Sequence, residues 1–284
     1  MQDDDHALAR ELAEEAGRRL LELRARGGFP DDPGVLRKAG DRRSHEFLVA
    51  ELAARRPGDV VLSEEGADNP ARLAARRVWI VDPLDGTREF GEPGRADWAV
   101  HVALWEKSAA DGAGDLTAGA VALPAQGRVL STSASGALAD SADSADSADS
   151  ADSADSADSA GAVRVGEGDG PLRVVVSRTR APGFVRDISD LIGLELVPLG
   201  SAGAKVAAVV SGEADAYIHG GGFYEWDTAA PVAVARAAGF HASRIDGSAL
   251  AYNQADLLMP DILVCRPALA GALLQAIREV THAP

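Results

Sequence analysis

The sequence predicts a mixed fold, of class α/β or α+β, built in two halves. Three observations carry that expectation. Segments with apolar residues at three- and four-residue spacing are interspersed with short apolar runs of strand length. Clusters of Gly, Pro and Asp punctuate them as turns. A low-complexity tract at residues 140–159 divides the elements into two groups.

Residues 6–26 read as a helix, because Leu8, Leu12, Ala16, Leu20 and Leu23 fall on one face. Asp3, Asp4 and Asp5 ahead of it suit the positive end of a helix dipole. Gly-Gly-Phe-Pro-Asp-Asp-Pro-Gly then reads as a loop, and residues 44–55 as a second helix with Ser44 or Asp41 near its start. Pro57-Gly58-Asp59 is a turn into a short strand, residues 59–63, that ends on Glu64-Glu65. Strands are expected at 78–82, 97–105, 117–123 and 127–132, the last two joined by Leu-Pro-Ala-Gln-Gly as a hairpin. Beyond the tract, strands are expected at 172–177, 194–198, 215–218 and 261–265, and helices at 182–192, 203–212, 227–238 and 267–280.

The tract itself, DSADSADSADSADSADSADS, repeats every three residues, a period that fits neither an amphipathic helix nor a strand. It has nothing large to bury and reads as a disordered acidic loop, an expansion at a hairpin tip. Calcium-binding repeats are glycine-rich nonapeptides with an apolar position, and the tract has neither feature. Seven of the sixteen net negative charges lie in it, so much of the charge says nothing about an active site. The expected divisions are residues 1–136, the linking segment 137–168, and residues 169–284.

With 284 residues the chain can bury a sizeable core as one large domain or two subdomains. A net charge of −16 argues against a nucleic-acid polymer or an anionic membrane as partner. It leaves a small phosphate substrate open, because a bound metal inverts the local field. Cys265 lies in an apolar run and reads as a buried structural thiol. The first residues lack a basic and apolar leader, and no run approaches the ~18 apolar residues of a membrane span, so the expected location is cytoplasmic.

Residues 78–90, VWIVDPLDGTREF, pose the chemical question. A buried strand delivers Asp82, Pro83 turns the chain, and Asp85 points back to the same place. Two carboxylates held together repel unless a cation lies between them, and hard oxygen ligands suit Mg²⁺. A plain turn is the alternative. Glu64 and Glu65, closing another short strand, are either solvated or supply one of themselves as a third ligand. Asp227, in EWDTAAPVAVARAAG, is either an N-cap or a ligand. Thr87 and Asp41 can form a hydroxyl–carboxylate pair, and the amides after Gly86 and Thr87 can seat a phosphate. Two Mg²⁺ ions about 3.5–4 Å apart would activate water and stabilise a leaving oxygen.

These residues resemble the inositol monophosphatase superfamily of Mg²⁺-dependent, lithium-sensitive phosphatases. WIVDPLDGT at 79–87 matches its first motif; Trp226, Asp227, Ala229, Ala230, Ala238 and Gly239 match its second. The Glu-Glu pair stands at the expected distance before the first. The resemblance implies an α+β fold, a layered α-β-α-β-α sandwich of the inositol monophosphatase and fructose-1,6-bisphosphatase type. It implies two or three Mg²⁺ ions. Glu64, Asp82 and the Leu84 carbonyl would bind the first; Asp82, Asp85 and Asp227 would bind the second; Glu64 would touch a third. It also implies that Asp41 and Thr87 take the proton of the attacking water. Here the sequence departs from the family, with Lys38-Ala39-Gly40-Asp41 in place of Thr-x-x-Asp.

Val176-Ser177-Arg178-Thr179-Arg180 and Gly200-Ser201-Ala202-Gly203-Ala204-Lys205 resemble segments of the bisphosphate nucleotidases in this family. That likeness makes Ser177, Arg178, Arg180, Ser201 and Lys205 candidate substrate residues, although Lys205 also reads as a surface charge of its helix. His219 lies where inositol phosphatases carry a hydroxyl-binding glutamate, which fits a more anionic substrate. Residues 78–105 look most like the CysQ type, which acts on 3′-phosphoadenosine 5′-phosphate in sulfur metabolism. The expectation is therefore a Mg²⁺-dependent bisphosphate nucleotidase with a small-molecule substrate. The alternatives are a broader inositol or sugar phosphatase and, last, a non-catalytic protein on the same fold. Homodimers are common in the family, but the sequence marks no interface.

Overall fold

The computed structural model describes residues 4–27, 32–109, 112–141, 170–179 and 181–281. In the first half, α1 (Asp5–Arg26) and α2 (Pro33–Arg55) precede β1 (Val60–Ser63), β2 (Arg77–Asp85), the short helix α3 (Thr87–Gly91), β3 (Ala99–Lys107), β4 (Gly114–Leu123), β5 (Arg128–Ser133) and β6 (Gly136–Ser141). These six strands form one sheet in chain order, parallel between β1 and β2 and antiparallel thereafter.

The second half runs β7 (Leu172–Ser177), α4 (Gly183–Ile192), β8 (Leu194–Leu199), α5 (Ala202–Val210), β9 (Ala216–His219), β10 (Phe223–Tyr224), α6 (Glu225–Ala237), β11 (His241–Ser243), β12 (Leu258–Met259), β13 (Ile262–Cys265) and α7 (Pro267–Thr281). Its five-stranded sheet has the order β11-β13-β9-β7-β8.

Side-chain alternation along the strands sets the layers. On one face of the first sheet, Trp79, Val81, Val100, Val102 and Leu104 pack against Leu8, Leu12 and Leu20 of α1 and Leu48 and Leu52 of α2. On the other face, Val78, Ile80, Ala99 and Ala103 meet α5 and α6, which in turn cover Val175, Tyr217, Ile262 and Val264 of the second sheet. The far side of that sheet, with Val174, Ile218 and Leu263, is closed by α4 and α7. The order is α-β-α-β-α. Among the described residues no helix is long and apolar enough to cross a membrane.

Several elements differ from expectation. Helix α2 starts at Pro33, not at residue 44, with Asp32 accepting a hydrogen bond from the Gly34 amide at 2.8 Å. Asp then Pro is a helix start, and it outweighs the loop-like composition. Asp41 and Ser44 are thus mid-helix. Strand β2 does not end at Asp82; it continues to Asp85 through a register shift opposite β3. Proline is tolerated in a strand at such a bulge. Strand β6 is an element that the sequence reading lacks. The hairpin-tip loop assigned to the Ser-Ala-Asp tract falls mostly outside the described residues. The backbone of its first two residues, Asp140 and Ser141, ends β6 and pairs with Val129 and Arg128 of β5.

Candidate active site

The bulge in β2 brings the acids together. Asp82 is 1% exposed and takes the Leu84 amide on Oδ1 at 2.9 Å. Asp85 re-enters the strand beside Ala99. Asp227 comes from the opposite half as the third residue of α6, not as its N-cap: its Oδ2 accepts the Tyr224 amide at 2.6 Å, in the manner of a capping box. Oxygens of Asp82, Asp85 and Asp227 lie within 4.8 Å of one another. Glu64 stands outside that trio, on the wall of the same cavity. Burial, then Glu64, Asp85 and Asp227, push Asp82 well above the ordinary carboxylate range. Loss of solvent and Asp227 likewise raise Glu64.

Helix α2 carries Asp41 to the edge of this cluster. Thr87 Oγ1 lies 3.4 Å from Asp41 Oδ1 and 3.0 Å from the Leu84 carbonyl oxygen. Burial and the neighbouring Glu65 push Asp41 up to about 7. Gly86 precedes α3 with φ +82°, and a Cβ there would meet the Asp97 carbonyl at 3.1 Å and the Ser201 Cβ at 3.3 Å. Glycine therefore lets the β2–α3 turn close against the second half.

Two predicted substrate residues lie behind the acids instead of in the cavity. Ser201 is fully buried, caps α5 through the Ala204 amide at 3.0 Å, and donates its hydroxyl proton to Asp85 Oδ2. Lys205 is 3% exposed, so it is not a surface charge either. Its Nζ donates to the carbonyls of Gly200 and Ser201, at 2.5 and 2.9 Å, and so fixes the loop that carries Ser201. The physical reason is register: one turn into α5 the side chain points back over its own N-terminal loop. His219 is buried in β9 against Tyr217 and Phe223 and is not among the cavity's lining residues. Arg180 lies outside the described residues.

The cavity, of about 380 Å³, is lined by Glu64, Asp82, Leu84, Asp85 and Asp227 together with Gly86, Thr87, Ser177 and Arg178. Arg178 is held by two carboxylates, Glu89 at 2.7 Å and Glu92 at 2.8 Å, which tie β7's end to α3. Arg88 also lines the cavity and is exposed. The sequence reading missed Arg88, Glu89 and the pairing of Arg178. Adjacency of Arg88 and Glu89 to Thr87 was the available signal.

The donor set fits a hard divalent cation. Three carboxylates crowd together, two of them buried, and the buried cation nearest to them, Lys205, directs its Nζ at carbonyls. Such a group is held either by protons, as the raised Asp82 indicates, or by a metal coordinated through oxygen.

The inositol monophosphatase family model matches residues 6–282. The chain is 49% identical over 279 residues to a 3′-phosphoadenosine 5′-phosphate phosphatase of Mycobacterium leprae, covering 97% of this chain and 94% of that protein. It is 48% identical over 268 residues to the protein of the same name in Mycobacterium tuberculosis, covering 93% and 90%. A solved structure of CysQ from Bacteroides thetaiotaomicron superposes with a TM-score of 0.70 at 27% identity, covering 92% of this chain and 97% of that one. With the motifs, the layer order and these matches in agreement, the chain belongs to the inositol monophosphatase family and is a phosphatase.

Proposed function

We propose that the chain is a Mg²⁺-dependent 3′(2′),5′-bisphosphate nucleotidase that converts 3′-phosphoadenosine 5′-phosphate to AMP and phosphate, in sulfur assimilation. The observation that carries this reading is the convergence of Asp82, Asp85 and Asp227 beside Asp41–Thr87 in one polar cavity with arginines at its rim. The substrate follows from the names of the two mycobacterial relatives.

In this reading Glu64, Asp82, the Leu84 carbonyl, Asp85 and Asp227 hold two or three Mg²⁺ ions. Bound Mg²⁺ supplies charge neutralisation for the phosphate and acidity for a water. Thr87 Oγ1 accepts a proton from the attacking water as it passes its own to Asp41 Oδ1. A base near neutrality is matched to that task, and Asp41 is raised to about 7. The first amides after Gly86 orient the scissile phosphate. Arg178 and Arg88 face the phosphate that stays, Arg178 by exchanging one of its two glutamate partners. The two sheets act as two halves meeting at this cleft.

The test is phosphate release with Mg²⁺ from 3′-phosphoadenosine 5′-phosphate, inositol 1-phosphate and fructose 1,6-bisphosphate side by side. The expected result is a kcat/KM for the nucleotide at least about a hundredfold above the others, equal to about 2.7 kcal/mol of discrimination. Comparable rates on all three would make it a broad phosphatase and reduce the arginines to general anion attraction.

A further inference from the structure

Glu225 is the first residue of α6, two before Asp227, and is fully buried. It is not among the residues that line the acid cavity. Its carboxylate lies instead on the segment between β11 and β12. Oε2 accepts the Asn253 amide and Oε1 the Gln254 amide, both at 2.7 Å. Its own amide donates to the Leu257 carbonyl oxygen at 3.0 Å. Just past Asp227, the Tyr252 hydroxyl donates to Oγ1 of buried Thr228 at 3.2 Å. Among the described residues, Asn253 is the one residue other than glycine with positive φ, +58°, a conformation that asparagine tolerates. Turned that way, consecutive N–H groups converge on one anion. The segment is fastened to the first half by Arg72, which is 1% exposed on a single 3₁₀ turn (Pro70–Ala74) between β1 and β2. Arg72 Nη1 donates to Asn253 Oδ1 at 2.9 Å and Nη2 to the Gln254 carbonyl at 2.8 Å, while Asn253 Nδ2 donates to the Arg72 carbonyl at 3.1 Å. Asp68 holds the guanidinium from its other side at 2.7 Å.

We propose that Glu225 and Arg72 are positioning residues that set where Asp227 stands relative to Asp82 and Asp85. The proposal rests on the reading of those three acids as ligands of a divalent cation. Asp82 and Asp85 belong to β2, the strand that follows Arg72 in the first half, whereas Asp227 belongs to the second half. Residues on both sides of Asp227 are tied to the segment 252–257, and Arg72 ties that segment to the first half. Apolar packing alone is non-directional, and hydrogen bonds are not. A buried guanidinium and a carboxylate that accepts two amides therefore fix a spacing that packing leaves loose. The clamp does not depend on the charge of Glu225, because a carboxyl oxygen accepts an amide in either protonation state. Groups that orient a metal-binding carboxylate typically govern metal affinity by about 10–100-fold.

The experiment is titration of the metal-stripped full chain with Mn²⁺, read by the electron paramagnetic resonance signal of the free ion, beside thermal melts. Glu225→Gln keeps the volume and one acceptor but turns an NH₂ toward the other amide. Asn253→Gly keeps the positive φ and both amides but drops the bridge to Arg72. Leu273→Ala opens a cavity in the far layer beneath α7, remote from the acids, and serves as the control for lost stability. Glu225→Gln is expected to weaken Mn²⁺ binding about tenfold or more and Asn253→Gly about threefold. Leu273→Ala is expected to bind Mn²⁺ like wild type although it melts lower. Should Glu225→Gln fail to fold, Asn253→Gly against Leu273→Ala decides. Wild-type affinity in both clamp variants would overturn the role. So would equal weakening in Leu273→Ala, which marks lost stability only. Weakening in Glu225→Gln alone would overturn the part given to Arg72. Wild-type protein that binds no Mn²⁺ would overturn the metal site itself and this role with it, whereas failure on the nucleotide substrate with Mn²⁺ binding intact touches only the proposed function.

Discussion

Asp82 and Asp227 are each held by a backbone amide, from Leu84 and from Tyr224, so their geometry does not depend on their charge alone. Asparagine can keep the shape while removing the anion. Asp82→Asn and Asp227→Asn are expected to fold normally by circular dichroism and to lose Mg²⁺-dependent turnover by at least about 10²-fold. Turnover within about twofold of wild type would remove them from the ligand set. Arg178 is a different case, because it starts in the grip of Glu89 and Glu92. Its truncation removes a latch between β7 and α3 as well as a cation. Arg178→Ala is expected to raise KM for a bisphosphate nucleotide about tenfold while changing KM for AMP-sized monophosphates less than threefold, magnitudes in the range of one charge-assisted hydrogen bond. An equal rise for both substrates would show that the latch matters and that the phosphate contact does not.

At the scale of elements, the acids were legible because their motifs are local. WIVDPLDGT places two carboxylates, a carbonyl and a hydroxyl within nine residues, and WDTAA places one acid at a helix start. The role of Ser201 was not legible, because it arises from a contact with Asp85, 116 positions away, nor was that of Lys205, because its partners are backbone carbonyls four and five positions before it, which no side-chain pattern marks. Helix α2 was half legible. Its apolar second half announced itself, but residues 35–43, Gly40 among them, carried no assignment between the loop that ends at Gly34 and the helix expected from residue 44. The structure gives that glycine a packing reason: a Cβ there would lie 2.8 Å from Phe90 and 2.9 Å from Leu84, both buried. Leu84 supplies the carbonyl that Thr87 touches, and Asp41 follows Gly40 directly. Gly40→Ala is therefore expected to cost about 1–3 kcal/mol of stability by overpacking. It should lower kcat as well, because α2 and the β2 bulge are pushed apart. A melting temperature within one degree of wild type would show that Phe90 and Leu84 can yield.

Over the whole molecule, several carboxylates are buried together with little opposite charge, and that has a consequence for stability. Asp41 and Glu225 are raised to about 7, and Asp82 and Glu64 are raised as well, in each case first by burial. An acid whose folded pKa exceeds its unfolded value stabilises the fold while protonated. That contribution is complete below about pH 4 and is lost as pH rises through the folded pKa. The ion-paired carboxylates Asp5, Glu15 and Asp97 have lowered pKa values, so what they contribute is already complete above about pH 5. Buried His101 and half-buried His241, held below 6.5, act in the opposite sense, but the unfolded imidazole is already half neutral at pH 6.5 and their contribution is nearly complete by about pH 7.5. Lys205, held at about 8, also acts in the opposite sense, mainly from pH 8 upward. Between pH 6.5 and 8 the raised acids govern. Metal-stripped protein is expected to melt at a lower temperature at pH 8 than at pH 6.5. Mg²⁺ should restore more at pH 8, where the carboxylates carry full charge, by about 4 °C relative to its effect at pH 6.5. Calorimetric melts with EDTA or with excess Mg²⁺ at the two pH values check this. A metal-stripped melting point that rises across the window would mean that the acids are neutralised by something other than protons or a cation, and the cleft would not be the metal site on which the two halves close.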